Sequence, residues 1–292
     1  MKRVASFIVA TLWLLIIVPS VSAATGQFMT LTPAARELRV DPGGEISTYV
    51  TVVNRNDHDL TVTIMAAPYG VKGLEYTPDF QPIADKADPS AWFTIAARGP
   101  HTLKPQATLD IPLALHVPAD TAPGGYYAVI FATSQPPSTP TSGIVAQARL
   151  GSIMYITVNG DVEKRGHANA ETIAWLQSAG MIPLSSKVSN TGGIHFTTTV
   201  TTSVKNILGQ EVYHDSQQRY ILPQTERRVT TDWRSESIMG LFRIERTVSL
   251  PSGDLRFADV WCIVVHPFAW AALAIGISAI IGYMLIKRRN RR

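Results

Sequence analysis

The sequence has 292 residues, 46% of them hydrophobic, and a formal net charge of +4. Seven of its 26 basic residues lie at the two ends, which leaves 19 basic residues against 22 acidic residues in between. Because this central part is slightly acidic, the composition excludes a basic nucleic-acid-binding surface there. A single cysteine, Cys262, also excludes a small disulfide-rich scaffold.

The N-terminus has the three-part layout of a secretory signal peptide. Two cations, Lys2 and Arg3, precede an apolar run over residues 4–18, and small residues follow up to Ala24. We predict that residues 1–24 form a cleaved signal peptide. The alternative is an uncleaved membrane anchor, which the shortness of the apolar run disfavours.

Residues 25–160 carry the alternating apolar pattern of β-strands and are predicted to form a first sandwich. Apolar side chains occupy every second position from Leu109 to Val117, so one face of this strand should lie on a core. Pro112 predicts an edge strand or a bulge, because proline cannot donate to a sheet ladder. Residues 126–133 are apolar on both faces and are predicted to form a central strand.

Within this first sandwich, the long segment 69–90 has little strand character. Loops on a rigid sandwich commonly carry recognition, so this segment and the aromatic residues after it are candidates for ligand contact. The candidate binding-loop residues are Tyr76, Phe80, Trp92 and Phe93. For Trp92 and Phe93 the alternative is a place in the core, where a sandwich usually holds its tryptophan.

A second module follows the Gly-containing, mixed-charge residues 159–168, which are predicted to form a linker. Short strands and turn signals, such as the alternation from Phe196 to Val204, recur at intervals of about 8–12 residues. Residues 168–260 are therefore predicted to form a second sandwich. The predicted fold class is all-β, with two tandem immunoglobulin-like β-sandwiches.

The C-terminus predicts a membrane anchor. Residues 268–286 contain no charged side chain, and their number is close to the ~20 that a spanning helix needs. We predict a transmembrane helix over residues 266–286 and a basic cytoplasmic tail over residues 287–292. Lysine and arginine are retained in the cytoplasm, so the N-terminal part is placed outside a cell membrane that the chain crosses once. The predicted anchor residues are Trp270, Tyr283, Lys287, Arg288 and Arg289.

Several motifs support a family resemblance. They are Asp41-Pro42-Gly43-Gly44 before a strand, residues 117–127 (VPADTAPGGYY), and Val188-Ser189-Asn190-Thr191-Gly192 in the second module. In motifs and layout the chain resembles the WxL-interacting proteins of bacterial cell walls. The resemblance implies a signal peptide, two immunoglobulin-like domains, one membrane helix and a basic tail. It also implies a first domain that binds peptidoglycan and a second that binds host or partner proteins. No individual binding residue can be carried over.

The sequence offers no motif for catalysis. The histidines form no His-x-x-x-His or Cys/His cluster of the kind that binds zinc. His214, Asp215 and Ser216 are neighbours in a predicted strand, so their side chains alternate between faces and cannot form a relay. We predict no catalytic, metal or cofactor site, and no enzymatic activity.

The sequence therefore predicts a non-catalytic, membrane-anchored cell-surface binding protein. Its predicted partners are cell-wall peptidoglycan, another surface protein, or both. An alternative is an envelope assembly or chaperone-like protein that acts by β-strand complementation, because sandwiches leave sheet edges open. A hydrolase with a site assembled from distant residues is a third alternative that no motif favours.

Overall fold

The computed structural model describes residues 29–82, 87–135, 147–236 and 239–289. The predicted signal peptide (1–24) and residues 290–292 of the predicted tail lie outside these ranges, as do the side chains of Trp270, Arg288 and Arg289. In the described ranges, β-strands fill two sandwiches and one helix follows them, which confirms the all-β prediction.

The first sandwich consists of two packed sheets and a small hairpin. Its strands are β1 (Met29–Thr32), β2 (Ala35–Val40), β3 (Glu45–Asn54), β4 (Leu60–Pro68), β5 (Gly70–Lys72), β6 (Thr77–Asp79), β7 (Phe93–Ile95), β8 (His101–Leu103), β9 (Thr108–His116), β10 (Gly124–Ser134) and β11 (Arg149–Val158). One sheet has the order β1-β3-β9-β7 and the other β2-β11-β10-β4-β8, while β5 and β6 pair with each other. Alternate side chains from both sheets, such as Val50, Ile111, Ile130 and Met154, are fully buried between them.

Two of these strands match the sequence analysis closely. In β9 the predicted apolar face is buried, and in β10 both faces are covered as expected of a strand between β11 and β4. The expectation of an edge strand or bulge at Pro112 is wrong, because β9 lies between β3 and β7. The pairing of β7 stops at Leu113, so Pro112 lies just past its end, where no neighbouring strand needs a proline N–H.

The second sandwich is built from longer strands. They are β12 (Gly166–Ala170), β13 (Leu176–Ser178), β14 (Gly180–Asn190), β15 (Phe196–Asn206), β16 (Glu211–Ile221), β17 (Thr225–Ser235), β18 (Met239–Leu250), β19 (Gly253–Arg256) and β20 (Val260–Val265). One sheet has the order β12-β14-β17 and the other β13-β20-β18-β15-β16, with β19 beside β18. The eleven-residue strands β16 and β17 each end a sheet on the same flank of the sandwich.

A polar layer divides the core of this sandwich. Apolar clusters lie on either side of it, around Trp233 and Ile244 on one side and around Phe196 and Val248 on the other. The buried residues between the clusters are Ser186, Thr202, Thr231 and Arg246. The Arg246 guanidinium donates to the carbonyl oxygens of Ser185 (2.7 Å) and Glu171 (3.1 Å). Burial lowers the pKa of this arginine.

Helix α1 (Pro267–Arg289) follows β20 and carries the residues of the predicted anchor. Tyr283 and Lys287 are exposed on it, and the Lys287 Nζ lies 5.9 Å from the centre of the Tyr283 ring. Among the residues that the structure describes, no helix combines the length and the apolar character needed to cross a membrane.

Candidate functional site

Two of the four predicted binding-loop residues lie in the core. Trp92 is 7% exposed at the end of a 3-10 turn (Pro89–Trp92), and its ring centre lies 4.8 Å from that of Tyr126. Phe93, at the start of β7, is 3% exposed. The Asp88 side chain accepts from the Ser90 N–H (2.9 Å) and caps the turn, which directs both rings inward. Neither ring can contact a ligand in this conformation, which corrects the expectation of an exposed binding loop at these positions.

A third predicted residue, Tyr76, joins the two sandwiches. It is the last residue of the turn in the β5–β6 hairpin, with a φ of 58°, and is 7% exposed. Its hydroxyl accepts from the Leu222 N–H of the second sandwich (2.8 Å) and hydrogen-bonds to the Thr225 hydroxyl. The Arg227 guanidinium lies 4.5 Å from the centre of its ring. The expected ligand contact at Tyr76 is therefore a contact within the chain.

The fourth residue, Phe80, is the most accessible of the set at 36% exposure. Its ring packs edge-on against Phe131 in β10, with ring centres 5.0 Å apart, and lies 6.3 Å from the ring of Tyr69. The outer part of the ring stays in solvent. A role for Phe80 in ligand contact remains a prediction.

The hairpin that carries Tyr76 also covers part of the β17 edge. The Arg228 N–H in β17 donates to the Leu74 carbonyl oxygen at the hairpin tip (2.8 Å). The Arg228 side chain forms ion pairs with Glu75 in the hairpin (2.8 Å) and with Glu171 in its own sandwich (3.1 Å). Backbone and charge contacts together therefore attach the first sandwich to this edge.

A second set of contacts joins the sandwiches around Tyr127. Its hydroxyl accepts from the His195 N–H (3.1 Å) and lies 3.2 Å from His195 Nδ1. Nearby, the Gly125 N–H donates to the Gly193 carbonyl oxygen (3.0 Å), and the rings of Tyr155 and Tyr220 stack with centres 4.3 Å apart.

Burial keeps the groups at this junction uncharged. It lowers the pKa of His195 to about 4 and raises the pKa of the Tyr127 and Tyr155 hydroxyls above the usual value. The imidazole is therefore neutral at pH 7, and the Tyr127 hydroxyl keeps its proton and can donate it to Nδ1. A neutral junction of this kind serves to hold two bodies together.

The segment between the sandwiches is hydrogen-bonded to the second one. The N–H groups of Thr191 and Gly193 donate to the carbonyl oxygens of Arg165 (2.9 Å) and Glu163 (3.1 Å). Gly192 permits this close approach, because a Cβ there would lie 2.5 Å from the Glu163 oxygen. The predicted linker is thus packed along the turn at residues 190–193.

A cleft of about 400 Å³ opens beside the junction. Proline, glycine and tyrosine residues dominate its wall, and among the described lining residues Asp88 is the one carboxylate. An oxygen of Asp88 is already occupied by the capped turn. A second cleft, of about 470 Å³, is lined in part by His195 and carries both signs of charge, from Glu37, Arg39 and Lys164.

The described ranges contain no group of three His, Cys, Asp or Glu side chains placed to hold a metal ion. In β16 the side chains of His214, Asp215 and Ser216 alternate between exposed and half-buried positions. They therefore share no face on which a proton relay could form.

The flank formed by β16 and β17 presents the longest free sheet edge in the described chain. Strand β16 pairs with β15 on one side only. The side chains of Tyr213, Asp215 and Gln217 point towards β17: the Gln217 amide donates to the Thr230 carbonyl oxygen (3.1 Å) and to Asp215 (2.7 Å). This hydrogen bond from Gln217 is the main cause of a lowered pKa at Asp215.

The outer side of β16 has no neighbouring strand. The side chains of Val212, His214, Ser216 and Gln218 are exposed, Val212 at 48%, whereas Tyr220 is half-buried. The carbonyl oxygens of Gln218 and Tyr220 accept from the side chains of Arg219 (2.9 Å) and Arg227 (3.1 Å). Even-numbered carbonyl groups therefore point away from β15, as alternate groups of an edge strand do.

The turn that leads into this edge is apolar and exposed. Ile207 and Leu208, between β15 and β16, are 68% and 79% exposed. The Asn206 side chain accepts from the N–H groups of Leu208 and Gln210 (both 3.0 Å) and so fixes the turn. The sequence predicts a turn at this position, but it gives no sign that the two apolar side chains are exposed.

No protein-family model matches this chain, and no curated protein matches it. Among solved structures it is similar to the class 5 fimbriae chaperone CfaA, with a TM-score of 0.41 and 11% identity over 81% of this chain and 99% of that chain. It is similar to the CsuC–CsuE chaperone–tip adhesion subunit complex of Acinetobacter baumannii, with a TM-score of 0.39 and 10% identity over 82% and 98%.

The E. coli chaperone DraB gives a TM-score of 0.37 and 13% identity over 80% of this chain and 96% of that chain. These values are too low to transfer a residue's role or a partner to this chain. The two-sandwich fold described above rests on its own strand pairing.

Proposed function

We propose that this protein is a non-catalytic binding protein of the cell envelope that engages another surface protein by strand addition at the β16 edge. The observation that carries the proposal is this eleven-residue strand, which has a β-strand partner on one side only. An exposed edge of this length is a ready template for an added strand. This corresponds to the assembly or chaperone-like alternative of the sequence analysis.

The other edges of the described sheets are less suited to this role. In the first sandwich the edge strands β1, β2, β7 and β8 have three to six residues. In the second sandwich β12 and β13 are similarly short, and the β17 edge is covered in part by the tip of the β5–β6 hairpin. The exposed Ile207 and Leu208 beside β16 add apolar area that a partner would cover.

An extracytoplasmic location and a C-terminal membrane tether are part of this proposal. They rest on the sequence of residues 1–24 and 266–286 and on the cations that follow the second segment. Exposed apolar side chains on α1, among them Phe268 (79%) and Ile275 (69%), support a lipid environment for this helix. Extraction of cell membranes with alkaline carbonate tests the tether, because a peripheral protein would be released.

A photoreactive amino acid at Gln218, on the outer side of β16, tests the proposed edge in intact cells. We expect cross-links to a strand of one recurrent surface protein, and protection of the even-numbered β16 amides from hydrogen exchange in the purified complex. The matched control carries the same group at Ser252, in an exposed turn of the same sandwich. Equal cross-linking at both positions, or unprotected amides in the complex, would contradict strand addition.

Binding of a cell-wall polymer is the second candidate function. It rests on the resemblance to WxL-interacting proteins. The cleft lined by Tyr69 and Tyr126 is a candidate site for it, because aromatic side chains commonly line ligand pockets. We expect the full chain to sediment with purified peptidoglycan and Tyr126→Ala to weaken this. Retention equal to that of an unrelated β-sandwich would exclude it.

A further inference from the structure

We propose that a second copy of this chain occupies the β16 edge, through antiparallel pairing of β16 with β16 about a two-fold axis. This inference rests on the proposed function, because it names one occupant of the same edge. The two six-stranded sheets would join into one continuous sheet. The charges along β16 favour this pairing.

Strand β16 is self-complementary when it runs antiparallel to itself. Its acidic residues, Glu211 and Asp215, lie in the first half, and Arg219 lies near the end. In an antiparallel pair centred on Gln217, Asp215 of each copy lies opposite Arg219 of the other. Opposite charges in directly opposed cross-strand positions stabilise a sheet.

The side chains of this pair are placed to meet. The hydrogen bonds that Gln217 and Thr231 donate to the Asp215 carboxylate both end on Oδ2, and the Ser216 backbone N–H also interacts with this carboxylate. Arg219 is held only by acceptors on β16 itself, the Gln217 side chain and the Gln218 carbonyl oxygen. Its guanidinium can turn from these acceptors to the carboxylate of the other copy.

Backbone geometry is compatible with this register. The even-numbered carbonyl groups point outward, so the even-numbered residues would exchange the hydrogen bonds, with Ser216 opposite Gln218. Shifting the centre to Asp215 keeps this pattern but places the two Asp215 carboxylates against each other, which is unfavourable. Centring on Gln217 removes that repulsion and forms two ion pairs.

Pairing of two copies would also prevent the exposed β16 edge from associating with a long series of further chains. A two-fold pairing uses the same surface of both copies and leaves no further β16 edge for a third. The pairing would protect the edge until another protein's strand replaces the second copy. A partner of the proposed function would then compete with self-association.

Two charge variants of the full chain test the pairing. Arg219→Asp and Asp215→Arg should each raise the dissociation constant of the pair by about tenfold or more, measured by analytical ultracentrifugation, because each places like charges opposite each other. Mixing the two variants should restore the pair, because both ion pairs re-form with reversed polarity. A mixture that stays as weakly associated as its components would overturn the proposal.

A disulfide trap tests the register and does not depend on the stability of the charge variants. Gln217 lies on the proposed two-fold axis at a non-hydrogen-bonded position, where opposed Cα atoms are about 4.5 Å apart. Gln217→Cys should form a disulfide-linked dimer under mild oxidation, while Ser252→Cys, in an exposed turn, should not. Equal dimer formation by both variants would overturn the register.

The outcomes separate this inference from the proposed function. A full chain that is monomeric at its highest soluble concentration, but whose Gln218 probe still cross-links to another surface protein, overturns self-pairing alone. A probe that cross-links neither to a second copy nor to another protein overturns both.

Discussion

The junction between the sandwiches depends on single hydroxyl groups and rings. The Tyr127 hydroxyl forms hydrogen bonds with two nitrogen atoms of His195, and the Tyr76 hydroxyl forms hydrogen bonds with Leu222 and Thr225. Sequence reasoning placed residues 126–133 in a central strand correctly and identified Tyr76 as notable. It could not show that Tyr76 contacts Leu222, because 146 positions separate the two and no local pattern encodes the pair.

Removing the Tyr127 hydroxyl should destabilise the junction. Tyr127→Phe leaves a buried N–H of His195 without its acceptor, so the free energy of unfolding should fall by about 1–2 kcal/mol in chemical denaturation. The control is Tyr126→Phe, whose hydroxyl donates only to the Ala122 carbonyl oxygen at an exposed position. That variant should differ from the parent by less than about 0.5 kcal/mol.

His195 should make stability depend on pH. Its pKa is about 4 in the folded chain, against 6.5 for an unperturbed histidine. Between these values the unfolded state binds more protons, so the free energy of unfolding should fall as the pH falls from about 6.5 to 4, by at most about 3 kcal/mol. Denaturation at a series of pH values should show that this decrease in the free energy of unfolding is absent from His195→Asn. If the variant and the parent depend on pH in the same way, His195 is not the cause.

Short elements decide how the two sandwiches meet. The β5–β6 hairpin lies in a segment that the sequence presents as a long loop, because three-residue strands leave almost no periodic signal. The long strands β9 and β10 could be predicted, because β9 alternates over nine residues and β10 contains a continuous apolar run. The β16 edge was missed, because an edge is defined by the absence of a neighbour and not by composition.

The hairpin should couple the unfolding of the two sandwiches. Tyr76→Ala removes the ring under Arg227 and the acceptor of the Leu222 N–H, and should cost about 3 kcal/mol. Calorimetry should show the two sandwiches unfolding further apart in temperature than in the parent. In the control Phe80→Ala, whose ring is partly exposed and packs within the first sandwich, both transitions should keep their spacing.

The polar layer of the second sandwich should tolerate loss of its charge but not of its volume. Arg246→Ala leaves a cavity between the two apolar clusters and should cost about 3 kcal/mol or more. Arg246→Met fills similar space and avoids the cost of burying a cation, so it should cost less than half as much. Urea denaturation measures the free energy of unfolding of both variants. An equal decrease in the two would show that the hydrogen bonds to the carbonyl groups dominate.

At the scale of the whole molecule, close backbone contacts set the arrangement of the sandwiches. At Gly125 a Cβ would lie 2.2 Å from the Tyr127 hydroxyl and 3.3 Å from the Ile194 Cα. Such close contacts between backbone atoms depend on how the two sandwiches finally pack together. The sequence therefore predicts two sandwiches but neither their junction nor the clefts beside it.

Gly125→Ala should separate the sandwiches. The added methyl group displaces the Tyr127 hydroxyl from His195, so the radius of gyration in X-ray scattering should increase and trypsin should cut faster after Lys164 and Arg165. Gly276→Ala is the control, because no atom within 4 Å would meet its Cβ. Unchanged scattering and cleavage in Gly125→Ala would show that the junction absorbs the methyl group.

In each sandwich, one of the first strands pairs in parallel with the last strand. In the first sandwich β2 pairs with β11, and in the second β13 pairs with β20. A tensile load applied to the two ends of a sandwich would pull such neighbours in opposite directions along their length. Their hydrogen bonds would then be sheared together rather than opened one after another. A chain held at α1 and pulled through its first sandwich would resist extension at both parallel pairs.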